Sequence, residues 1–374
     1  MKIAQVAPLY ESVPPKYYGG TERVVSYLTE ELVRQGHEVT LFASGDSVTA
    51  AELVPACPRA LRLDPACVDQ LAPHLVMLEH VIRAADRFDI VHFHIDYIHF
   101  PLSSRVGITQ LTTLHGRLNI PELPRLYEAF PDMPVVSISD AQRRPLPNAN
   151  WQATVYHGLP PDPVGFRKRP GDYLAFLGRI SPEKRVDRAI EIARRAGMKL
   201  RIAAKVDKSD TDYFRTEIEP LFRDPLVEFV GEIGEREKPD FLGSARALLF
   251  PIDWPEPFGL VMIEAMRCGT PVVAWDCGSV PEVIDEGTTG FVVDNIDDAV
   301  RAVKRAGELD RRLCRKAFET RFSAERMADD YLAVYRRLIG QTQRRGRRES
   351  GNSRRAVTVG GVGDAGFEPV SSSV

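Results

Sequence analysis

The sequence predicts an α/β protein with two Rossmann-like, doubly wound domains that face each other across a central cleft. Apolar runs of strand length alternate with amphipathic segments of helix length, which is typical of parallel sheets covered by helices on both faces. This alternation restarts in the second half of the chain. A length of 374 residues also exceeds the roughly 250–300 residues that one hydrophobic core usually supports, so two domains are expected.

In the first half, short apolar or β-branched runs predict five strands. They are Ile3–Ala7, Glu38–Ala43, Asp89–Phe93, Ile108–Leu114 and Val135–Ile138. The segments Thr21–Gln35 and Gln70–Arg87 are predicted helices. The first of them carries apolar residues at helical spacing, and Gly36 follows it where glycine commonly ends a helix.

In the second half, the same pattern predicts five more strands. They are Tyr173–Leu177, Leu200–Ala204, Val227–Val230, Ala247–Phe250 and Pro271–Trp275. Helices are predicted between them, for example at Val186–Ala196 and Leu260–Cys268. The stretch 148–169 is rich in proline, which is typical of a linker. We therefore predict a first domain over residues 1–158 and a second over residues 159–322.

Two different segments are predicted after the second domain. Residues 323–340 carry an apolar stripe at helical spacing, which predicts a closing helix that packs back toward the first domain. Residues 341–374 contain clustered arginines followed by many glycines and serines. Such a composition cannot bury enough apolar surface to offset its ordering entropy, so a disordered basic tail is expected.

Composition excludes several classes of protein. A formal net charge of −3 argues against a nucleic-acid partner, since such proteins usually carry a basic excess. The five cysteines form no C-x-x-C pair, which favours the reducing cytoplasm. No apolar run reaches the roughly 18 residues of a membrane span. The basic tail leaves open a peripheral contact with the inner face of a membrane, and the oligomeric state is not determined by the sequence.

The strongest local signal lies between two carboxylates, Glu256 and Glu264, which flank a turn that opens a helix. The backbone amides of Phe258, Gly259 and Leu260 are expected at the N-terminus of this helix. Such amides bind anions and suit a diphosphate. The alternative is that the two carboxylates only complement the helix dipole.

A second signal is the pair of cations Arg179 and Lys184, which lie between a predicted strand and helix. Ligands bind at the carboxyl ends of such strands, and both side chains suit phosphate oxygens. The alternative is a surface loop with solvated charges. Weaker signals come from Gly19 and Gly20, which permit close backbone approach before the first helix, and from His115, which ends a strand on the cleft side. A hydrogen-bonded structural role is the alternative for this histidine.

A metal site is not expected. His92 and His94 fall on one face of a strand simply because side chains alternate, and no set of acids or cysteines completes a shell. Asp96, Ser139 and Arg143 are instead candidates for the lining of an acceptor pocket.

Together these segments resemble the retaining glycosyltransferases of family 4, also called group 1, which have the GT-B fold. The resemblance covers about residues 1–340. Its most specific parts are Glu256 to Glu264, which matches the E-x7-E motif of the family, and Gly178-Arg179 with Lys184. The runs 265–273 and 278–282 are also similar to this family. The chain departs from the family at Tyr156-His157-Gly158, where asparagine often precedes the glycine.

The resemblance implies roles for individual residues. Arg179 and Lys184 would hold the donor diphosphate, and Glu264 would bind the nucleotide ribose. Glu256 and His115 would contact the donor sugar. The amides of Phe258, Gly259 and Leu260 would meet the sugar or the phosphates, and Gly19 and Gly20 would lie against the diphosphate or the acceptor.

The expected function is transfer of a hexosyl group, with retention, from a nucleoside diphosphate sugar to a hydroxyl of a glycan, lipid or small molecule. A UDP-sugar is expected because it is common in the family. No cofactor or metal is expected, since arginine and lysine neutralise the leaving group. The alternatives are an epimerase or a phosphorylase of the same fold, and a non-catalytic protein that binds nucleotide sugars. An NAD-linked oxidoreductase is disfavoured because the G-x-G-x-x-G fingerprint is missing.

Overall fold

The computed structural model describes residues 1–16, 19–161 and 165–357, with side chains up to residue 344. It contains two parallel sheets, each covered by helices. The first sheet has seven strands in the order β3-β2-β1-β4-β5-β6-β7, and the second has six in the order β10-β9-β8-β11-β12-β13. The predicted fold class, two Rossmann-like domains, is confirmed.

The first domain is built on β1, an interior strand of its sheet. Ile3 of this strand pairs with Val39 on one side and with Ile90 on the other. Its strands are β1 (Lys2–Val6), β2 (Glu38–Ser44), β3 (Glu52–Cys57), β4 (Ile90–Phe93), β5 (Gln110–Thr113), β6 (Val135–Ser137) and β7 (Trp151–Thr154). Its helices are α1 (Gly20–Arg34), α2 (Leu71–Arg83), α3 (Phe100–Ser103), α4 (Leu123–Ala129) and α5 (Asp140–Arg143).

The second domain repeats this plan around β8. Its strands are β8 (Tyr173–Arg179), β9 (Lys199–Lys205), β10 (Val227–Gly231), β11 (Ala247–Phe250), β12 (Val272–Trp275) and β13 (Gly290–Val293). Its helices are α6 (Val186–Ala196), α7 (Thr211–Tyr213), α8 (Lys238–Gly243), α9 (Leu260–Arg267), α10 (Val280–Val283), α11 (Ile296–Ala306) and α12 (Arg311–Arg321). Helix α9 follows β11 and begins within the predicted carboxylate motif, at the carboxyl edge of the sheet.

Three strands were missed by the sequence analysis, namely β3, β7 and β13. All three lie at the edges of their sheets. Strands β3 and β7 are only partly buried and so carry weak apolar patterns, whereas β13 is buried but has only four residues. Strand β3 contains Pro55, and β7 falls within the proline-rich stretch 148–169 that was predicted to be a linker. That prediction was wrong for residues 151–154, because they pair with β6 and complete the first sheet.

The last helix, α13 (Ala324–Val357), leaves the second domain and packs on the first. Its residues Tyr331, Tyr335 and Leu338 join the hydrophobic core that includes Leu28 of α1. The sequence predicts that this helix ends at residue 340 and that disorder follows. The helix continues because residues 341–357 contain no proline and many good helix formers such as arginine and glutamine. The end of the predicted tail, 358–374, lies outside the described residues, and its membrane contact stays a prediction.

The chain passes between the domains twice, and the two passages run side by side. The amide of Leu159 donates to the carbonyl of Phe322 at 2.9 Å, and the amide of Ala324 donates to the carbonyl of Leu159 at 2.8 Å. Further contacts join the domains across the cleft. The Glu282 carboxylate accepts hydrogen bonds from the backbone amides of Asp140 and Ala141 at 2.7 and 2.6 Å. Within the described part of the chain, no helix has both the length and the apolar character needed to cross a membrane.

Candidate active site

A cavity of about 790 Å³ lies between the two domains. Its walls come from the loops that follow β1, β4 and β5 in the first domain and β8, β10 and β11 in the second, together with the last residues of β8 and β9. These loops lie at the carboxyl ends of parallel strands, where ligands bind in doubly wound folds. Every residue predicted to act in catalysis or to bind the donor lines this cavity: Gly19, Gly20, His115, Arg179, Lys184, Glu256, Phe258, Gly259, Leu260 and Glu264.

The N-terminus of α9 faces the cavity. Gly259 precedes this helix with φ of +78°, a left-handed conformation that glycine adopts readily. A methyl group at this position would lie 2.8 Å from Met262 Cε and 3.2 Å from the Phe250 ring. The first amides of a helix have no partner within the helix. Those of Gly259 and Leu260 therefore form a site where an anion is favoured.

Glu256 lies in the loop before this helix, and its side chain is only 12% exposed. Its carboxylate accepts hydrogen bonds from the Lys184 ammonium and, at 3.0 Å, from the indole of Trp254. The loop is fixed from the other side, because the amide of Ser279 donates to the Glu256 carbonyl at 3.0 Å. Gly278 packs directly beneath it, and a methyl group there would lie 2.4 Å from both the backbone nitrogen and oxygen of Glu256.

We expect Gly278→Ala to abolish most of the activity by displacing this loop. Gly278 has φ of +62°, so alanine there would carry backbone strain of about 1–2 kcal/mol in addition to the clash. Gly287→Ala is a matched control, because Gly287 has φ of +70° and no atom within 4 Å of the added methyl group. Thermal unfolding should show destabilisation of both variants, whereas only Gly278→Ala should lose transfer activity. Equal activity of the two variants would contradict the proposed importance of this loop.

Lys184 is the cation nearest to the carboxylate loop. Its side chain is 16% exposed and is paired with Glu256. The ammonium lies 4.9 Å from the centre of the Trp254 ring and 5.7 Å from that of Phe250. These aromatic faces favour a cation and hold it in place. The charge is therefore fixed at the wall of the cavity rather than solvated, as the alternative interpretation required.

Arg179 lies at the end of β8 and is surrounded by acids. It contacts Glu183 at 2.6 Å, Asp207 at 3.4 Å and Asp210 at 3.9 Å. The sequence predicts a phosphate contact for this guanidinium, but no spacing in it marks these three partners. Three carboxylates hold the side chain at the cavity wall and partly compensate its charge.

Glu264, one turn into α9, takes part in an ion-pair chain that crosses the cleft. Its carboxylate contacts the Lys238 ammonium at 3.0 Å, and Lys238 contacts Glu235 at 2.5 Å. Glu235 in turn contacts Arg23 of the first domain at 2.8 Å. Burial raises the pKa of Glu264, but the charges of Lys238 and Arg267 outweigh this effect, and the net pKa is lowered. The carboxylate is therefore ionised at neutral pH.

Gly19 and Gly20 bring the first domain close to the start of α9. A methyl group on Gly20 would lie 3.7 Å from Leu260 Cδ1, so the two domains meet at this point. A side chain on Gly19 would meet Pro15 at 2.8 Å. Of the loop that contains them, Tyr17 and Tyr18 lie outside the described residues.

His115 follows β5 and forms the opposite wall. Its ring stacks on that of His157 at 5.3 Å with an interplanar angle of 18°, and His157 meets the ring of Phe258 at 4.9 Å. Burial lowers the pKa of His115 to about 3. The ring is therefore neutral at physiological pH. His157 stands at the position where the chain departs from the resembled family, and it links the walls of the two domains.

The three candidates for an acceptor pocket have different surroundings. Asp96 lines the cavity and has φ of +50°, which is uncommon for a residue other than glycine and is frequent at functional sites. Ser139 is fully buried and caps α5 by accepting the amide of Gln142 at 3.0 Å. Arg143 donates to Thr154 at 3.2 Å and covers the Trp151 ring. Neither Ser139 nor Arg143 lines the cavity, and both side chains contact other residues of the first domain.

His92 and His94 were considered as metal ligands. Both are buried and engaged in hydrogen bonds with side chains of the first domain and, for His92, with Tyr335 of α13. Over the part of the chain that the structure describes, no group of three or more His, Cys, Asp or Glu is arranged to hold a metal ion.

Two family models match the two domains. Glycosyltransferase family 4 matches residues 18–152, and glycosyl transferases group 1 matches residues 165–319. Together they span most of the first and second domains. The chain belongs to the group 1, family 4 glycosyltransferases. It is therefore an enzyme of the transferase class, and the resemblance drawn from its motifs is confirmed.

Relatives and solved structures agree with this family. The D-inositol 3-phosphate glycosyltransferase of Rhodococcus erythropolis is 25% identical over 85% of this chain and 86% of the relative. The crystal structure of AviGT4, a glycosyltransferase involved in avilamycin A biosynthesis, is 26% identical with a TM-score of 0.68 and covers 91% of this chain and 98% of that one. Anabaena HepE, solved with UDP-glucose, is 18% identical with a TM-score of 0.64 over 92% of this chain and 99% of HepE, and shares the fold.

Proposed function

We propose that this glycosyltransferase moves a hexosyl group from a nucleoside diphosphate sugar, expected to be a UDP-sugar, to a hydroxyl acceptor with retention at the anomeric carbon. The observation that carries the proposal is the convergence of the α9 N-terminus, Lys184 and Arg179 on one cavity wall. Helix amides and fixed cations are the groups that bind a diphosphate. The solved complex of Anabaena HepE with UDP-glucose supports a donor of this class.

The same groups would stabilise the transition state. As the bond between the anomeric carbon and the diphosphate oxygen breaks, negative charge collects on the leaving group. Lys184, Arg179 and the amides of Gly259 and Leu260 are held in place before reaction, so they need no reorganisation when that charge develops. A divalent metal is not required in this scheme, because the protein itself supplies the positive charge.

The remaining donor contacts follow from the positions of the side chains. The ionised Glu264 would accept the ribose hydroxyls of the nucleotide. Glu256 would accept a hydrogen bond from a hydroxyl of the sugar, and His115 would face that sugar from the first domain. Because the His115 ring is neutral at neutral pH, it would not act as a general acid.

The acceptor would enter from the first domain, beside Asp96. Its oxygen forms a bond to the anomeric carbon on the face that the diphosphate leaves, and its proton passes to a departing phosphate oxygen. We assign no carboxylate as a covalent nucleophile. Asp96 would orient the acceptor by accepting a hydrogen bond from its hydroxyl.

This role predicts a pH dependence. Although Asp96 is exposed to the cavity, surrounding protein removes hydration and raises the pKa of its carboxyl to about 6. We therefore expect kcat/KM for the acceptor to rise as pH increases through about 6, and Asp96→Asn to remove this limb. Asp86→Asn, at an exposed position of the same domain, is the control.

Stability should change in the opposite direction. Because the folded state holds the Asp96 proton more tightly than the unfolded state, the stabilisation from this group is present at low pH and is lost as pH rises through about 6. Asp96→Asn should then be at least as stable as the wild type above pH 6. An unchanged acidic limb of the activity profile in Asp96→Asn would exclude Asp96 as the group that orients the acceptor.

A panel of donors tests the proposal directly. UDP-, GDP- and ADP-sugars are incubated with the protein, with and without EDTA, and the released nucleoside diphosphate is measured together with its binding. Release from one donor, unaffected by EDTA, is expected, and the anomeric configuration of the product then checks retention. If no sugar nucleotide or nucleoside diphosphate binds, the proposed function is wrong.

A further inference from the structure

A chain of hydrogen bonds leads from the cavity into the core of the first domain. His115 Nε2 lies 2.9 Å from His94 Nδ1, and His94 Nε2 lies 2.7 Å from Gln5 Oε1. The amide nitrogen of Gln5 then donates to the hydroxyl of Tyr335 at 3.2 Å. The last of these residues is on α13, so the helix that returns from the second domain is connected to the cavity wall.

The chain of hydrogen bonds continues beyond Tyr335. Its hydroxyl lies 2.6 Å from His92 Nδ1, and His92 Nε2 lies 2.8 Å from the hydroxyl of Thr113. Thr113 is in turn 2.9 Å from the hydroxyl of Tyr331. Gln5, His92, Thr113, Tyr331 and Tyr335 are fully buried and His94 nearly so. Polar groups at such depth are costly unless each has a partner.

The chemistry of the side chains decides which atom donates and which accepts in each of these hydrogen bonds. The carbonyl oxygen of Gln5 can only accept, so His94 Nε2 carries the hydrogen. Burial places the pKa of His94 well below its ordinary value, and the neutral ring has one N–H. Its Nδ1 must therefore accept, and His115 Nε2 must be the donor.

The opposite end of the His115 ring agrees with this assignment. In the described part of the chain, His115 Nδ1 is buried and has no hydrogen-bond partner. If the oxygen and nitrogen of the Gln5 side-chain amide were exchanged, donor and acceptor would change places in the bonds to His94 and His115. The hydrogen of the neutral His115 ring would then be on Nδ1. Orphaned buried N–H groups are rare, so the bare nitrogen belongs at Nδ1.

We propose that Gln5, His94 and Tyr335 are positioning residues for His115, which hold its ring in the neutral Nε2–H tautomer against the donor sugar. The catalytic consequence rests on the proposed function. The tautomer itself does not, because it follows from the hydrogen bonds and burial of the two histidine rings. The returning helix α13 thereby takes part in the active site without touching the substrate.

The tautomer can be measured without activity. The chain has eight histidines, so NMR spectra of protein labelled with ¹⁵N-histidine can be assigned with a His115→Asn variant. In the wild type we expect His115 to show a protonated Nε2 and an unprotonated Nδ1 at neutral pH. Gln5→Met, which removes the acceptor for His94, should give a mixture of tautomers. A protonated Nδ1 in the wild type, or an unchanged spectrum in Gln5→Met, would overturn the proposal.

Kinetics test the positioning role with two matched variants. Tyr335→Phe removes the hydroxyl that holds Gln5. Tyr331→Phe removes a hydroxyl from the same helix, at the end of the hydrogen-bond chain that is farthest from His115. We expect kcat to fall by up to about 10²-fold in Tyr335→Phe, as for a misplaced reacting group, with little change in donor KM. Tyr331→Phe should stay near the wild type.

Thermal unfolding separates an effect on positioning from an effect on folding. Both tyrosines are fully buried, so the two variants should be destabilised to a similar extent. Equal kcat losses in the two variants would refute the positioning role. If no donor is turned over at all, the proposed function fails, while the NMR measurement still decides the tautomer.

Discussion

Replacing Lys184 with glutamine is expected to lower kcat/KM for donor turnover by about 10²–10³-fold, the effect of removing one preorganised group that stabilises transition-state charge. Glutamine can still donate to Glu256, so the carboxylate keeps a partner and the fold should be retained. The loss should appear in kcat more than in donor KM, because the leaving group gains charge as the bond breaks. Steady-state release of the nucleoside diphosphate measures both parameters.

Lys208→Gln is the control for this experiment, since Lys208 is an exposed lysine of the same domain. It should behave as the wild type in both parameters and in thermal unfolding. A Lys184→Gln enzyme with unchanged kcat would mean that the ammonium does not act on the leaving group, and its role would then be to hold Glu256.

The second large effect is expected from Glu264→Gln, which should weaken binding of the nucleoside diphosphate roughly 10- to 100-fold. Hydrogen bonds to a charged group are worth about 1.5–3 kcal/mol, and the ionised Glu264 would accept them from the ribose hydroxyls. Its side chain is only 6% exposed, so water cannot substitute. Calorimetric titration with UDP measures the change in affinity directly.

Glu264 also pairs with Lys238, so its loss leaves a buried cation without full compensation. A Glu264→Gln/Lys238→Met double variant removes both charges and should recover stability but not nucleotide affinity. Glu308→Gln, on an exposed residue of the same domain, reports the effect of an amide far from the site. Recovery of affinity in the double variant would show that Glu264 acts through Lys238 and not on the ribose.

Most of the fold could be predicted because its signals are local. Helix α6 and strand β11 were predicted with their observed bounds, since compact apolar patterns decide them. The cavity wall around Glu256, Gly259 and Glu264 was also predictable. Its residues lie within one turn and one helix, and a turn before a helix at a sheet edge has a known use.

The parts that could not be predicted depend on residues far apart in the chain. Lys238 meets Glu264 only because α8 packs beside α9, and Arg23 reaches Glu235 only across the cleft. No spacing in the sequence marks such pairs. The same holds for Tyr335, which the sequence analysis identified only as part of an apolar stripe and not as a partner of Gln5.

The return of α13 to the first domain has a consequence for biosynthesis. The core beside α1 includes Tyr331, Tyr335 and Leu338, which the ribosome adds only after the whole second domain. The amino-terminal half can therefore collapse early, but it exposes an apolar groove until α13 arrives. Contacts of such long sequence separation slow folding. A nascent chain of this enzyme should thus depend on chaperones during elongation and become active only when α13 has left the exit tunnel.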